Sequence, residues 1–255
     1  MEAMILAAGR GERLRPLTDR IPKPLIEVGG VPMLERVARG LVEAGAHRLI
    51  INVCHGAETI ERFVTEHGGF GVEVVFSRES PEPLETGGGL LLAAPHFEAD
   101  APFFLHNGDI LTDLDLLALY EAHTAVGLVL AGGAGARTEP PIATLAVARR
   151  ETSRPLLVDD DGVCGRANRT EGWELIARHA GSGAAEVGFT GVHVLSPAIL
   201  DRLTESGAFS IVESYMRLIT EGERVCTFDV TDAAWLDVGT PERLERAQRL
   251  FEEGD

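Results

Sequence analysis

The sequence predicts a single α/β domain: a Rossmann-like, mostly parallel central sheet flanked by helices, with a small antiparallel insertion. Three observations carry this. Short apolar runs alternate with amphipathic helical patterns up to about residue 131, the order that gives a parallel sheet covered on both faces. Beyond that point apolar runs follow one another without helices between them, and Asp159-Asp160-Asp161-Gly162 reads as a hairpin turn. No repeat, low-complexity tract or linker interrupts the 255 residues, so one large domain fits better than two.

Met4–Ala8 is a short apolar run stopped by Gly9, a buried strand. Residues 9–24 contain Gly9, Gly11, Pro16, Pro22 and Pro24 and cannot form a long helix. Pro32 then opens a helix whose apolar positions, Leu34, Val37, Ala38, Leu41 and Val42, share one face; Gly45 ends it. Leu49–Val53 is the second strand, Thr59–His67 a short helix with Ile60, Phe63 and Val64 inward, and Val72–Phe76 the third strand. A proline-rich loop leads to Thr86-Gly87-Gly88-Gly89 and an apolar helical run, Leu90–Ala94. Phe103–Leu105 is the fourth strand, with a polar tip at His106–Asp109; a helix at Leu114–His123 and a strand at Gly127–Ala131 follow. Strands are expected at Ile142–Val147, Leu156–Val158, Val187–Val194 and Arg224–Val230, and helices at Pro197–Thr204 and Ile211–Glu221. After the short apolar stretch Ala234–Val238, the helix Pro241–Glu252 turns Leu244, Ala247, Leu250 and Phe251 to one side.

Composition excludes several classes. The 45% apolar and 25% charged residues are ordinary for a globular chain and rule out disorder and collagen-like structure. Cys54, Cys164 and Cys226 are odd in number and far apart, against a disulfide framework or a zinc cluster, and they suit a reducing cytosol. The start, Met-Glu-Ala-Met, lacks the features of a signal peptide, and no apolar stretch reaches the ~18 residues of a membrane helix. These features point to a cytoplasmic protein. A net charge of −17 opposes extended binding to nucleic acid. Residues 1–25 run against this charge, with Arg10, Arg13, Arg15, Arg20 and Lys23 facing three acids. A basic island on an acidic protein suits a compact anion such as a nucleoside triphosphate, and a solvated basic loop is the alternative.

In open parallel sheets ligands bind beyond the carboxyl ends of the strands, so the polar segments after strands one, three and four should converge. Gly9-Arg10-Gly11-Glu12-Arg13 can present backbone N–H groups to a phosphate. It is neither a Walker loop nor the dinucleotide fingerprint, since Leu14 stands where a third glycine belongs, and a plain tight turn also fits. That break disfavours a nicotinamide oxidoreductase. Lys23 is the one lysine among 23 basic residues and lies between two prolines. An ammonium is a compact point charge where a guanidinium is a broad fork, so its retention suggests a place the fork does not fit. Asp109 and Asp237 each follow an apolar stretch and together could anchor Mg²⁺, which takes one or two carboxylates plus phosphate oxygens and water. A turn or cap role for Asp237 remains open. Asp113 and Asp115 form a DxD just before a helix, where capping is the expected role. Three consecutive glycines weaken a helix, so Gly87–Gly89 suggest close approach of a flat ligand such as a nucleobase. No histidine sits in a nucleophile pattern; only His106 lies near the proposed metal loop.

These segments, taken together, resemble a known family. Leu6-Ala7-Ala8-Gly9-x-Gly11-x-Arg13-Leu14-x-Pro16-Leu17-Thr18 with Pro22-Lys23-Pro24-Leu25 is similar to the signature of the sugar-1-phosphate nucleotidylyltransferases. The resemblance continues through Asn107-Gly108-Asp109, Phe189-Thr190-Gly191 and Trp235-x-Asp237-Val238-Gly239-Thr240. Pro83–Gly89 looks most like the N-acetylmuramate 1-phosphate uridylyltransferase subgroup of cell-wall recycling, and mannose- and heptose-1-phosphate guanylyltransferases share much of the pattern. The resemblance implies that a nucleoside triphosphate and a sugar 1-phosphate give a nucleoside-diphosphate sugar and pyrophosphate. It implies that residues 1–131 form a nucleotide-binding half and 132–255 a sugar-phosphate-binding half. In it Ala7, Ala8, Gly9, Gly11, Glu85, Gly88 and Asn107 would contact the nucleotide, and Arg13, Lys23 and Asp109 would be catalytic. Thr190 and Gly191 would lie by the sugar, and Asp109 and Asp237 would hold Mg²⁺. Many relatives carry a second lysine in mid-chain; this chain has none, so either Arg166, Arg169 or Arg178 substitutes or the subgroup does not need it. The family's carboxy-terminal β-helix has no counterpart after the last predicted helix, so a monomer or small homo-oligomer is expected. A DxD glycosyltransferase, which would release nucleoside diphosphate, and a non-catalytic nucleotide sensor are the competing classes.

Overall fold

A computed structural model describes residues 1–98, 100–129, 140–181 and 183–252. Its centre is a mixed sheet. Strands β1 (Glu2–Leu6), β4 (Arg48–Val53), β5 (Glu73–Arg78) and β6 (Phe103–Asn107) are parallel, with β1 between β4 and β6 and β5 outside β4. The long β12 (Ala185–Leu195) runs antiparallel beside β6, and β8 (Ala143–Ala148) with β13 (Val225–Asp229) extends the sheet beyond it. The amino-terminal end of β12 bends away to pair with β9 (Leu156–Asp159), which continues into β10 (Gly162–Asn168) and β11 (Trp173–Ile176), all antiparallel. This is the expected insertion, turned at Asp160–Asp161. Two small ribbons, β2 (Glu27–Val28) with β3 (Val31–Pro32) and β7 (Ile110–Thr112) with β14 (Trp235–Asp237), complete the strands.

Because side chains alternate along a strand, each central strand feeds two cores. Ala3, Ile5, Leu49, Ile51 and Phe104 face one side, against Leu34, Val37 and Leu41 of α1 (Met33–Glu43), Ile60 of α2 (Ala57–Glu66), Leu119 of α4 (Leu116–Val129) and Ala247 of α7 (Pro241–Glu252). Met4, Ile50, Phe103 and Leu105 face the other, against Leu90 of α3 (Glu85–Ala93), Ile199 of α5 (Ile199–Arg202) and Tyr215 and Leu218 of α6 (Ile211–Thr220).

Two elements differ from expectation. The strand expected at Gly127–Ala131 is in part the end of α4, which runs to Val129; residues 130 and 131 lie outside the described residues. A short apolar run fits a buried helix as well as a strand. The helix expected at Pro197–Thr204 is a single turn, α5. The β2–β3 ribbon and β11 carry no clear alternation; all four residues of β11 are exposed.

Three histidines are buried as neutral groups. His123 lies between Thr144 Oγ1 and Ser196 Oγ, at 2.9 and 3.2 Å, and burial lowers its pKa to about 4. His193 contacts the Tyr215 hydroxyl at 2.6 Å, and burial lowers it to about 3. His106, also buried, is lowered to about 4. The unfolded chain takes up protons on these rings near pH 6.5, whereas the native chain does so only near pH 3–4. Stability should therefore fall as pH drops from about 6.5 to about 4, each ring adding up to about 1.4 kcal/mol per pH unit, and level off below. Thermal melts between pH 7.5 and 4.5 measure this, and His123→Gln should flatten the slope.

Candidate active site

The carboxyl ends of β1, β4, β5 and β6 open into a cleft of about 450 Å³. Its floor is a relay of polar groups. Ala7 N donates to Asn52 Oδ1 at 2.6 Å, Asn52 Nδ2 donates to Glu79 Oε1, and Leu84 N donates to Glu79 Oε2 at 2.6 Å. Glu79 is buried, and burial raises its pKa against the pull of those two donors. The relay ties three strand ends to the start of α3 and satisfies groups that would otherwise be costly to bury.

Leu6–Gly9 line one wall, and the segment runs on from it through Gly11 and Arg13. Gly11 has a left-handed backbone (φ 65°), and a Cβ there would lie 2.8 Å from Thr18 Cγ2 and 3.0 Å from Lys23 Cβ. The lysine stem therefore packs along the glycine. Pro22 and Pro24 frame it in a 3-10 turn, Lys23–Leu25. Its Nζ reaches the Asp109 carboxylate, with the Lys23 side chain 12% exposed and Asp109 27%. Asp109 follows Gly108 in the turn between β6 and β7; a Cβ on Gly108 would lie 2.8 Å from the Leu6 carbonyl oxygen, so only glycine fits beside β1.

Asp237 arrives from the far end of the chain. In the β7–β14 ribbon it is the partner of Ile110, and Val238 N donates to Asp109 O at 2.9 Å. The two residues thus occupy adjoining backbone positions, their carboxylates paired with different cations. Asp237 Oδ2 pairs with Arg243, and Oδ1 is buried without a hydrogen-bond partner. A Cβ on Gly239 would lie 2.8 Å from both Arg13 Nη2 and Asp237 Oδ1, so Arg13 comes up beside that orphaned oxygen. Among the described residues no group of three or more His, Cys, Asp and Glu side chains could hold a metal ion.

Ala7, Ala8, Gly9, Lys23, Glu85, Asn107 and Asp109 line the cleft. Gly11, Arg13 and Asp237 stand beside it in the contacts just given. Glu85 begins α3 with a strained left-handed backbone (φ 59°), a conformation uncommon outside glycine. Gly88 does not face the opening: a Cβ there would lie 2.4 Å from the Gly207 carbonyl oxygen. Gly87 is packed against the Phe209 ring and Gly89 against Glu79 and Asn52. The close approach that the three glycines permit is therefore made by the protein itself, seating α3 on the loop before α6. Thr190 is buried and donates to Ala146 O at 2.8 Å, while Gly191 (φ 85°) leaves room for Asn107 Nδ2. These two residues shape the bulge of β12 that borders Asn107.

Asp113 accepts from Ala234 N at 2.7 Å and Asp115 from Ala118 N at 2.9 Å, so the DxD acids serve as a turn anchor and a helix cap. His106, neutral near pH 7, faces its neighbour's carbonyl, Asn107 O, at 2.8 Å. Arg166, Arg169 and Arg178 are occupied elsewhere, with Glu213, with Glu174 and Glu186, and with Asp159. Sequence reasoning passed over Asn52 and Glu79, although Asn52 is the one polar side chain in the apolar run Leu49–Val53 and so carried a signal. It also passed over Arg150, Arg154 and Ser210, which no local pattern marks.

Comparison with known proteins agrees with this arrangement. Residues 2–127 match the family model described as nucleotidyl transferase. The chain is 33% identical over 250 residues, 98% of each chain, to the N-acetylmuramate alpha-1-phosphate uridylyltransferase of Neisseria meningitidis serogroup B. It is 31% identical over 251 residues to the mannose-1-phosphate guanylyltransferase catalytic subunit beta of Drosophila melanogaster, covering 98% of this chain and 62% of that one. In fold it is similar to the inositol-1-phosphate CTP transferase of T. maritima (TM-score 0.72, 20% identity, 99% and 96% coverage) and to a UDP-glucose pyrophosphorylase (TM-score 0.74, 14% identity, 100% and 99% coverage). With a relative this similar along nearly its whole length, and with the signature residues gathered at one end of the sheet, the chain belongs to the nucleotidyl transferase family, among the sugar-1-phosphate nucleotidyltransferases.

Proposed function

We propose that the protein transfers a nucleotidyl group from UTP to N-acetylmuramate 1-phosphate, releasing pyrophosphate. The observation that carries the reaction type is the convergence of Lys23, Arg13, Asp109 and Asp237 beside a cleft lined by Ala7, Ala8 and Gly9. The choice of UTP and of this sugar rests on the 33% identity with the Neisseria enzyme. In this reading the amino-terminal half binds the triphosphate and the carboxy-terminal half the sugar phosphate.

The sugar phosphate attacks with an oxygen that is already charged, so no general base is needed. This agrees with the burial and neutrality of His106. The obstacle is repulsion between two anions, and catalysis is then positioning and charge neutralisation. The backbone of Gly9–Gly11 would cradle the triphosphate, Lys23 would neutralise its α-phosphate region, and Arg13 would stabilise the departing pyrophosphate. Asp109 and Asp237 fit a magnesium site: both offer hard oxygen ligands, they are held at adjoining positions, and Asp237 Oδ1 is buried and unpartnered. When bound, Mg²⁺ would supply a positive charge that offsets the charge developing on the phosphates.

A second reading, GTP with mannose or heptose 1-phosphate, has its own support. The Glu85 carboxylate lines the cleft and suits the N–H donors of guanine as well as that of uracil. A screen of pyrophosphate release, four nucleoside triphosphates against a panel of sugar 1-phosphates with Mg²⁺, separates the two. Turnover with UTP and N-acetylmuramate 1-phosphate is the expected result. Preference for GTP selects the second reading, and release of nucleoside diphosphate from a nucleotide sugar selects a glycosyltransferase.

A further inference from the structure

Residues 149–155 join β8 to β9 and reach the site. Arg154 of this segment lines the cleft, while Arg150 lies in an open groove with Arg149, Glu151, Thr152, Ser153 and Glu186. Arg150 is held with unusual care for a loop arginine. Its Nη2 donates to Phe189 O at 2.8 Å, and its guanidinium lies 4.0 Å over the Trp235 ring. Trp235 is fixed in turn by donating Nε1 to Thr190 O at 2.8 Å. On its other side the arginine crosses Gly188, where a Cβ would lie 2.7 Å from Nε. Such stacking and anchoring orient a guanidinium fork in advance.

The anchoring leaves donors over. Nε is buried without an acceptor, and Nη1 donates to no described residue. A guanidinium accepts nothing and carries five N–H donors, and its charge makes an anion the strongest partner for those that remain. The direction it faces is also defined. Trp235 and Asp237 are two residues apart on β14 and share one face of that strand. Arg150, stacked on the first, lies on the face that carries the second. Burial is the main influence that lowers its pKa; repulsion from Arg243 adds to it, and Asp237 opposes it.

Charge at this point is out of balance. Arg243, Arg13 and Arg150 all stand close to the one carboxylate of Asp237. On a chain of net charge −17, a local surplus of cations calls for an anion that is not part of the protein. Lys23 is already paired with Asp109 on the triphosphate side.

We propose that Arg150 binds the phosphate of the sugar 1-phosphate through Nη1, presented from the Trp235 platform. The assignment rests on the reaction proposed above and adds a residue that no motif marks. It places the sugar phosphate on the Trp235 and Asp237 side of the site, next to the groove that holds Arg150.

Steady-state kinetics of the full chain test this, with wild type, Arg150→Met and Arg150→Lys. Methionine keeps an aliphatic stem against Trp235 and Gly188 but removes the charge. The expected result is a KM for the sugar 1-phosphate raised roughly tenfold or more in Arg150→Met, because a hydrogen bond to a charged group is lost. The KM for the nucleoside triphosphate should stay within about twofold, and Arg150→Lys should recover part of the loss, as an ammonium binds phosphate without the fork. Equal changes in both KM values, a fall in kcat alone, or wild-type kinetics in Arg150→Met would each overturn the assignment and leave the reaction standing. A wild-type protein that releases no pyrophosphate with any pair of substrates would overturn the reaction itself. Melting temperatures of the variants, expected within a few degrees of wild type, report separately on the fold.

Discussion

Asp109→Asn should lower kcat by about 10²- to 10⁴-fold, the range expected when a charge-stabilising group is removed from a site of this kind. The amide can still accept a hydrogen bond from Lys23, so the turn between β6 and β7 should persist. What it loses is the negative charge that balances the lysine and would attract a divalent cation. With the pair only partly exposed, the stability loss should be on the order of 1–2 kcal/mol, a fall in melting temperature of a few degrees for a chain of this size. Pyrophosphate release as a function of Mg²⁺ concentration reads the two effects apart. A magnesium site predicts that the variant needs more Mg²⁺ to reach its reduced maximum. Unchanged turnover would remove Asp109 from the catalytic group.

Lys23→Arg should lower kcat/KM by about 10²-fold even though the charge is kept, equivalent to ~2.7 kcal/mol at the transition state. The reason is space. The lysine stem runs along Gly11, with a Cβ at that glycine 3.0 and 3.2 Å from its Cβ and Cδ, and prolines hold the backbone on both sides. Pro22 is itself wedged against Gly56. A fork wider than an ammonium must push Asp109 aside or leave the pair. Displacement of about 1 Å at a reacting centre is enough for a loss of this size. Steady-state kinetics against wild type decide it; normal values in Lys23→Arg would make the single lysine incidental.

Much of the site was readable because its signals are local. The Gly9–Lys23 stretch announces itself through glycines, prolines and a solitary lysine, and each strand ends where its apolar run meets a polar tip. What could not be read depends on distant partners. Nothing near Asp237 says that Ile110 will lie opposite it, and nothing near Arg150 says that Trp235 will lie beneath it. The three glycines of α3 show the same limit from the other side. Their spacing states that something comes close to the helix, but the something is Phe209, the Gly207 carbonyl and Glu79, all supplied by tertiary packing. The arginines considered as substitutes for a mid-chain lysine fail for a related reason: an arginine in sequence has no visible partner, and each of the three finds a carboxylate elsewhere. The apolar end of α4 reads as a strand in the sequence because its composition lacks the polar face that marks an amphipathic helix.

The β7–β14 ribbon has a bearing on synthesis. Its two strands are separated by more than a hundred residues, so a nascent polypeptide still short of Trp235 has its glycine-rich wall and its lysine but only half of its acid pair. On the reaction proposed above, competence would arrive late and abruptly as β14 docks, and a translation product cut off before that point would be unable to squander triphosphate.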